Sequence, residues 1–334
     1  MTAATLTWSP TGQTGSAPVL ALDIGGTKLA VAIVTDDGQT HGLLIEPTRR
    51  DCGPGDVIAR LFDMGRRAVA ASGFGAVKAV GISCGGPLDA KNGVLLNPFH
   101  LPGWIDIPIT QLAEAEFGVL SVLQNDASTA ALAEYRYGAG KGLSTVVSLT
   151  ISTGVGGGIV VDRKLYHGAA GNGGELGHIT VRAGGRACSC GRRGCLEAYC
   201  SGTNIGVRGE EALILAREQG ISTVLAKSKH VTAQDVSEAA AAGDAVALRV
   251  WNETTELLGQ AVTDLVNVIE PDAVILGGGV TRSGAMLLDP VRRAVKTTGM
   301  GPARDAAEVM LAGLGDVVCV IGAAAIAHDA LARR

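Results

Sequence analysis

The sequence has few aromatic residues, little charge and no excess of positive charge. Phe, Trp and Tyr make up 3% of its 334 residues, charged side chains make up 18%, and the formal net charge is −4. This balance gives no electrostatic reason to expect a nucleic-acid partner. The sequence shows no apolar run of transmembrane length, and residues 1–18 have neither the basic start nor the apolar centre of a signal peptide. We therefore expect a cytoplasmic protein without nucleic-acid or membrane partners, and a flexible tail over residues 1–18.

Glycine and small aliphatic residues are abundant instead. The chain contains 48 glycines, and 47% of its residues are hydrophobic. A chain of this length can bury two cores. An apolar strand followed by a small-residue turn and a second strand occurs twice, first around residues 19–36 and again around residues 146–161. The repeat predicts an internal duplication, with one copy opening each of two α/β lobes.

The two small-residue turns are suited to binding phosphate, because backbone N–H groups approach phosphate oxygens only where side chains are absent. Asp23 ends the first strand and could hold Mg²⁺ through water. The loop from Thr153 to Gly158 could hold phosphate from the opposite side, and a third glycine run could admit a base and ribose. The candidate nucleotide-binding residues are Asp23, Gly25, Gly26, Thr27, Lys28, Thr153, Gly154, Gly277, Gly278 and Gly279.

Two familiar nucleotide-binding patterns are not matched. The run over residues 138–142 lacks the first glycine of a P-loop at the required spacing, and it lacks Ser or Thr after the lysine. The loop from Thr153 to Gly158 has Ile159 where the dinucleotide-binding pattern needs its last glycine. These mismatches exclude a Walker ATPase and a Rossmann dehydrogenase.

A carboxylate stands at a predicted strand-to-helix junction, in the sequence Gln124-Asn125-Asp126. An aspartate in this place can cap the following helix. It can also serve as the general base that takes a proton from a hydroxyl group. The local sequence is compatible with both roles for Asp126.

A cluster of cysteines with one histidine forms the most specific segment of the chain. In a chain without an export signal, such crowding favours a metal over disulfides. The C-x-C-x₄-C spacing suits a closed tetrahedral zinc site, which would be structural. The predicted ligands are His178, Cys188, Cys190 and Cys195, and Cys200 is an alternative fourth ligand that lies on what reads as the next helix.

Two glutamates bracket this metal segment. Ligation through one ring nitrogen of His178 would leave the other nitrogen free to meet a substrate hydroxyl. Glu175 and Glu197 could accept further hydroxyl hydrogen bonds, and the alternative is that they are ordinary surface charges.

With these motifs, the chain resembles the ROK family of bacterial sugar kinases and related repressors from about residue 19 to the C-terminus. The motifs that carry the resemblance are LALDIGGTK, QNDA, TGVGGGI, GELGH, CSCGRRGC followed by LEAY, and LGGG. The resemblance implies a two-lobed, actin-like and hexokinase-like ATPase fold, and normally a homodimer. It also implies transfer of phosphate from ATP to the 6-hydroxyl of a hexose. Glucose is the first expectation, and an N-acetylated hexosamine such as N-acetylmannosamine or N-acetylglucosamine is the second.

The resemblance also implies roles for individual residues. Asp126 would be the base, ATP would bind with Mg²⁺, and a structural Zn²⁺ would be held by the His/Cys cluster. The implied sugar-binding residues are Gly86 through its backbone, Asn125, Glu175, His178 and Glu197.

The chain departs from the family pattern at four positions. Ser152 stands where Gly is usual, Ser128 where Asn is common, and Gly85 where Pro is frequent. His100 takes the place of an Asn that often helps to bind the sugar, so we assign His100 to the sugar site. One hydroxyl contact can decide specificity, and this departure leaves the identity of the sugar open.

The predicted domain organisation follows the duplication. Residues 19–125 would form a small lobe completed by a C-terminal helix over 321–334, and residues 126–320 a large lobe with the zinc segment at 178–195. Repressors of the family carry a DNA-binding domain before the first phosphate strand, for which 18 residues are too few, so a regulator is disfavoured. A sugar sensor without catalysis is disfavoured by Asp126. Whether polyphosphate replaces ATP is open.

Overall fold

The computed structural model describes residues 17–334, so residues 1–16, most of the predicted tail, lie outside the described residues. The described part contains twelve strands and ten α-helices in a mixed order. The strands are β1 (Val19–Ile24), β2 (Lys28–Val34), β3 (Thr40–Pro47), β4 (Ala79–Cys84), β5 (Leu88–Asp89), β6 (Val94–Leu95), β7 (Leu120–Asn125), β8 (Val146–Ile151), β9 (Val155–Val161), β10 (Lys164–Leu165), β11 (Ala273–Gly277) and β12 (Glu308–Leu311). The helices are α1 (Pro54–Ser72), α2 (Ile109–Phe117), α3 (Asp126–Tyr137), α4 (Glu197–Cys200), α5 (Gly202–Glu218), α6 (Ala233–Ala241), α7 (Ala245–Ile269), α8 (Ala285–Thr298), α9 (Gly301–Ala306) and α10 (Val318–Ala332).

Two five-stranded sheets share one topology. The first has the order β3-β2-β1-β4-β7, and the second has the order β10-β9-β8-β11-β12. In each sheet the first three strands along the chain are antiparallel neighbours, and two further strands add in parallel on the other side. Equal order and equal strand directions confirm the predicted duplication. In both copies the glycine turn joins the first two strands, so the two turns occupy equivalent places.

The strand sequences explain where the cores lie. Central strands such as β1, β4 and β11 are buried along their whole length and consist largely of Val, Ile, Leu and Ala, as expected for strands covered on both faces. Separate apolar clusters pack on the two sheets, with Trp104 fully buried in the first and Trp251 almost fully buried in the second. Each half of the molecule therefore has its own core, and rigid strands carry the residues at its cleft.

Helices α3 and α10 each pack on the sheet of the other half of the molecule. α3 follows the last strand of the first sheet but packs on β8 and β9, whereas α10 follows the last strand of the second sheet and packs on β1 and β4. The two helices also pack on each other. A Cβ atom on Gly322 of α10 would lie 2.1 Å from the carbonyl oxygen of Thr129 in α3, so this close crossing needs glycine. The division into lobes near residue 125 stays a proposal.

One segment of the described chain differs from the expectation that the sequence contains no apolar run of transmembrane length. Residues Gly315–Ala332 are long and apolar enough, by length and composition, to cross a membrane. In the structure this segment contains α10, whose residues from Val320 to Ala327 are buried. The apolar character of α10 therefore serves the contact between the first sheet and α3.

Candidate functional site

The carboxyl ends of β1, β4 and β7 meet at one edge of the first sheet. Asp23 in β1 is paired with Ser83 in β4, and Cys84 is paired with Asn125 at the end of β7. Asp126 follows as the first residue of α3. The structure therefore brings Asp23 and Asp126 to the same edge, as expected for residues that follow neighbouring parallel strands.

Burial raises the pKa of Asp23 to about 7, and the charge of Asp126 adds to this rise. A hydrogen bond from Ser83 and the charge of Lys28 act in the opposite direction. Asp23 is only 8% exposed. The fold thus places a carboxyl group with a pKa near neutrality at the end of β1, which is the kind of perturbation found at functional sites.

The cap of α3 is made by Asn125. Its side-chain oxygen accepts hydrogen bonds from the backbone N–H groups of Ala127 at 2.9 Å and Ser128 at 3.3 Å. The alternative that Asp126 is the N-cap is therefore wrong. Burial raises the pKa of Asp126, while its hydrogen bond with the N–H of Ala127 and the charge of His100 lower it.

The first glycine turn is held tightly at its base. Gly25 N–H donates to the carbonyl of Lys28 at 3.0 Å, and Thr48 Oγ1 donates to the carbonyl of Gly25 at 2.6 Å. Lys28 Nζ reaches the backbone carbonyl of Asp316 at 3.4 Å, in the short turn before α10. The predicted residues Gly25, Gly26, Thr27 and Lys28 therefore lie together beside Asp23.

The second glycine turn is tied to a glutamate. Glu197 Oε2 accepts a hydrogen bond from Val155 N–H at 2.9 Å, just after Thr153 and Gly154. Its other oxygen accepts from Ser189 Oγ at 3.1 Å, in the cysteine segment. Cys188 Sγ also donates to this oxygen at 3.8 Å. Glu197 therefore joins the second turn to the predicted metal site, and a sugar would have to share a carboxylate that already has three donors.

A cavity of about 660 Å³ opens beside the second turn. Thr153 and Gly279 line it, together with residues of α6 and with Trp251. Gly277 and Gly278 do not line it: Gly277 ends β11, and Gly278 has a φ of 90° and packs against the carbonyl of Ile151. Sequence reasoning missed the α6 residues Gln234, Ser237 and Glu238 and also Arg282. The start of α6 can be recognised from its capping box, but nothing in the sequence indicates that α6 reaches this cavity.

Glu175 and His178 lie near each other, and the charge of Asp126 reaches Glu175. His178 Nε2 is 4.0 Å from Glu175 Oε2. Burial raises the pKa of Glu175; the charge of His178 lowers it, and those of Asp126 and Glu197 raise it further. The charges of two other predicted site carboxylates, Asp126 and Glu197, thus both act on Glu175.

The four predicted metal ligands lie together. Their ligand atoms are all within 4.8 Å of one another, with Cys190 Sγ 3.7 Å from Cys195 Sγ and Cys188 Sγ 3.6 Å from His178 Nδ1. Tetrahedral zinc with Zn–S bonds of about 2.3 Å requires sulfur atoms about 3.8 Å apart, so the group fits zinc. Cys200 lies outside the group, with its Sγ 3.4 Å from the carbonyl of Thr254.

His100 and Gly86 complete the predicted site on the side of the first sheet. His100 Nε2 is 4.0 Å from Cys84 Sγ. A Cβ atom on Gly86 would lie 3.7 Å from Asn125 Nδ2, so the amide of Asn125 faces the backbone of Gly86. That the predicted site residues form one active site stays a proposal.

Comparison with known proteins identifies the family. The sequence profile described as the ROK family matches residues 19–330. The chain belongs to the ROK family. This ROK protein is 33% identical over 306 residues to a glucokinase of Halalkalibacterium halodurans, covering 91% of this chain and 92% of that one. It is 37% identical over 261 residues to an N-acetylmannosamine kinase of Yersinia pestis, covering 78% of this chain and 82% of that one.

A solved structure supports the same assignment. The ROK protein superposes with a TM-score of 0.76 on a ROK family glucokinase from Streptomyces griseus in complex with glucose and AMPPNP. The two are 33% identical, and the match covers 93% of this chain and 99% of the other. The predicted two-lobed actin-like fold is confirmed.

Proposed function

We propose that this ROK protein is an ATP-dependent sugar kinase that phosphorylates the 6-hydroxyl of a hexose, with glucose as its substrate. The observation that carries the proposal is the position of Asp126. Its half-buried carboxyl group acts electrostatically both on Asp23, beside the first glycine turn, and on Glu175, beside His178. A phosphate donor and a polyhydroxylated acceptor can therefore meet at one base.

Asp126 acts as the general base in this proposal. The hydroxyl oxygen attacks the γ-phosphorus, its proton passes to Asp126, and the bond to the β–γ bridging oxygen breaks to release ADP. Burial strengthens Asp126 as a base because it raises the pKa. An aligned base contributes roughly 10²–10⁴-fold to such a rate.

The nucleotide lies along the two turns. Gly25–Lys28 and Thr153–Gly154 face its phosphates, and the cavity at Gly279 takes the nucleoside. Mg²⁺ near Asp23 would neutralise phosphate charge, and an oxygen ligand suits this hard cation. Because the glycine turns lack side chains, their N–H groups can reach the phosphate oxygens.

The sugar lies against Gly86, His100 and Asn125 on one side and against Glu175, His178 and Glu197 on the other. Zn²⁺ held by His178 Nδ1 and three cysteines would supply structural order only, because four protein ligands leave no open position. The other ring nitrogen, Nε2, faces Glu175 and remains available for a sugar hydroxyl.

A second candidate substrate is N-acetylmannosamine. The observation that favours it is the 37% identity with a kinase of that name, which exceeds the identity with the glucokinase of H. halodurans. An assay of ADP release over glucose, mannose, N-acetylglucosamine and N-acetylmannosamine separates the two. We expect the highest kcat/KM with glucose; preference for an acetamido sugar would replace glucose, and no turnover with any sugar would refute the kinase proposal. Replacing ATP by polyphosphate in the same assay tests the phosphate donor.

The proposal extends to the cellular setting, for which the composition and the family resemblance are the support. We place the protein in the cytoplasm as a homodimer, without a nucleic-acid partner. None of the seven cysteines, all of which lie in the described residues, forms a disulfide, in keeping with a reducing compartment. The net charge of −4 supports the absence of a nucleic-acid partner.

A further inference from the structure

The loop between β6 and α2 carries His100 into the cleft. Leu101 and Trp104 are both fully buried in the core of the first sheet, one and four residues after His100. The loop is also pinned by backbone hydrogen bonds, from Phe99 N–H to the carbonyl of Gly86 at 3.4 Å and from Leu101 N–H to that of Pro98 at 2.9 Å. His100 is therefore held in place by its neighbours in the chain.

The side chain of His100 occupies space that two glycines leave. A Cβ atom on Gly85 would lie 2.5 Å from His100 Cε1 and 3.0 Å from Nδ1. A Cβ atom on Gly26 would lie 3.0 Å from His100 Cβ and 3.3 Å from Cδ2. Neither glycine has a positive φ, so the backbone at both positions would accept another residue. A side chain at position 85 would have to push the His100 ring aside, and one at position 26 would press on the Cβ atom and the backbone oxygen of His100.

These contacts connect the first phosphate turn with the loop proposed to bind the sugar, which the reaction must align. Gly26 belongs to the first phosphate turn, and Gly85 precedes Gly86 in the loop proposed to contact the sugar. We propose that His100 is a positioning residue that lies between these glycines and fixes the distance from the first phosphate turn to the sugar loop. The inference rests on the proposed function and adds a residue pair, His100 with Gly85, that acts as one unit.

The proposal explains two departures from the family pattern together. A side chain at position 85 would displace the imidazole, and a smaller residue at position 100 would remove the ring atoms that lie nearest to Gly85. Since a misplacement of about 1 Å between reacting groups can cost roughly 10²-fold in rate, loss of this contact should reduce turnover. The phosphate turn and the sugar loop should both be affected.

A double-mutant cycle tests the coupling. We compare the wild type, Gly85→Ala, His100→Ala and the double variant by kcat and by KM for glucose and ATP. Gly85→Ala should lower kcat/KM for glucose by roughly 10- to 100-fold, with an effect on KM for ATP as well. In the His100→Ala background the same Gly85→Ala change should cost less than about twofold, because the ring it displaces is gone. In the Gly85→Ala background, His100→Asn should recover part of the activity.

Melting temperatures separate this role from general destabilisation. The atom nearest to a new Cβ at position 85 is the far end of a side chain, so all four proteins should melt close together. Gly55→Ala is the control, since a Cβ atom there meets nothing within 4 Å. Equal costs of Gly85→Ala in both backgrounds, or a fully active Gly85→Ala variant, would overturn the inference while leaving the kinase proposal intact. A wild type without sugar kinase activity would overturn both.

Discussion

Burial raises the pKa of both Asp23 and Asp126, but the neighbouring charges that modify this rise differ. Asp23 has a pKa of about 7, with burial and then the charge of Asp126 as the causes that raise it. A carboxyl group in this condition exchanges its proton near neutral pH, and a bound Mg²⁺ would favour its charged form. Asp126 faces His100, whose charge lowers its pKa in part. The two acids are therefore suited to different tasks, one at the metal and phosphate, the other at the hydroxyl.

The raised pKa of Asp23 predicts a pH-dependent stability. The folded protein holds this proton more tightly than the unfolded chain, whose ordinary value is 3.8, so stability from this group is present at low pH and lost as the pH rises to about 7. Asp23→Asn removes the titration. Without nucleotide or Mg²⁺, the variant should be more stable than the wild type at pH 8, by at most on the order of 4 kcal/mol. The difference should fade towards pH 4.

Urea unfolding of both proteins between pH 4 and pH 8 measures this difference. Asp51→Asn, at an exposed position, serves as the control and should follow the wild type. Parallel curves for Asp23→Asn and the wild type would contradict the assignment of the titration to Asp23.

Asp126→Asn tests the base. The amide keeps the shape of the side chain but cannot take the proton, so kcat should fall by roughly 10²–10⁴-fold. Because Asn125 makes the helix cap, the melting temperature and the glucose Kd should change little. Asn125→Ala supplies the contrast, since loss of the cap should cost about 1 kcal/mol of stability. An Asp126→Asn variant that retained more than about a tenth of the wild-type kcat would rule out a general base.

At the residue scale, the sequence identified the polar residues better than their local roles. Asn125 and Asp126 were recognisable as a pair because a strand runs into a helix there. Which of the two caps the helix depends on the backbone at Asn125, whose φ of −59° and ψ of 141° place it outside the helix. Neighbouring sequence does not determine this, because Asn and Asp are about equally good caps.

Among the elements, the cysteine segment between Glu175 and Glu197 connects the sugar side to the second turn. Cys190→Ala should lose the bound zinc and let both carboxylates move, so the glucose KM should rise and activity should fall. Nucleotide binding should survive, since its cavity is formed by α6, Gly279 and the second turn. Metal analysis of the purified wild type should find about one zinc per chain, the stoichiometry of a four-ligand site.

Cys52→Ala is the matched control, because Cys52 is exposed and lies outside the four-ligand group. It should keep zinc and activity. Disulfides among the cluster cysteines, or a zinc-free protein with unchanged glucose affinity, would contradict the role given to this segment.

The sequence predicted the position of the metal-binding segment better than the position of the helix that lines the nucleoside cavity. The metal ligands lie within eighteen residues of one another in the chain, so spacing alone predicted their meeting. The nucleoside cavity needs α6 beside Gly279, two segments about forty residues apart. Their contact depends on packing in the large apolar core around the second sheet, which periodicity does not describe. For the same reason the sequence did not distinguish Gly279 from Gly277 and Gly278.

On the scale of the whole molecule, the duplication was predictable because its motif repeats, but the helix exchange was not. α3 leaves the first sheet carrying Asp126 at its first turn and packs on the second sheet, while α10 makes the reverse crossing. Both halves are therefore packed against the pair formed by α3 and α10, and the proposed base Asp126 lies at the first turn of α3. A movement of one half relative to the other would shift α3 and therefore change the position of Asp126.

Gly322→Ala tests this helix crossing. In the interior of α10 an alanine should by propensity alone stabilise the protein by about 1 kcal/mol. In the structure its Cβ atom would lie 2.1 Å from the carbonyl oxygen and 2.4 Å from the carbonyl carbon of Thr129, which are backbone atoms of α3 and cannot turn aside. The variant should instead lose roughly 1–3 kcal/mol, the usual cost of overpacking, and kcat should fall with it because α3 carries Asp126. Urea unfolding and kinetics beside Gly55→Ala, which adds the same methyl group in open space, measure both effects. A Gly322→Ala protein as stable and active as that control would mean that the two helices can separate without cost, and that the crossing does not set the position of the base.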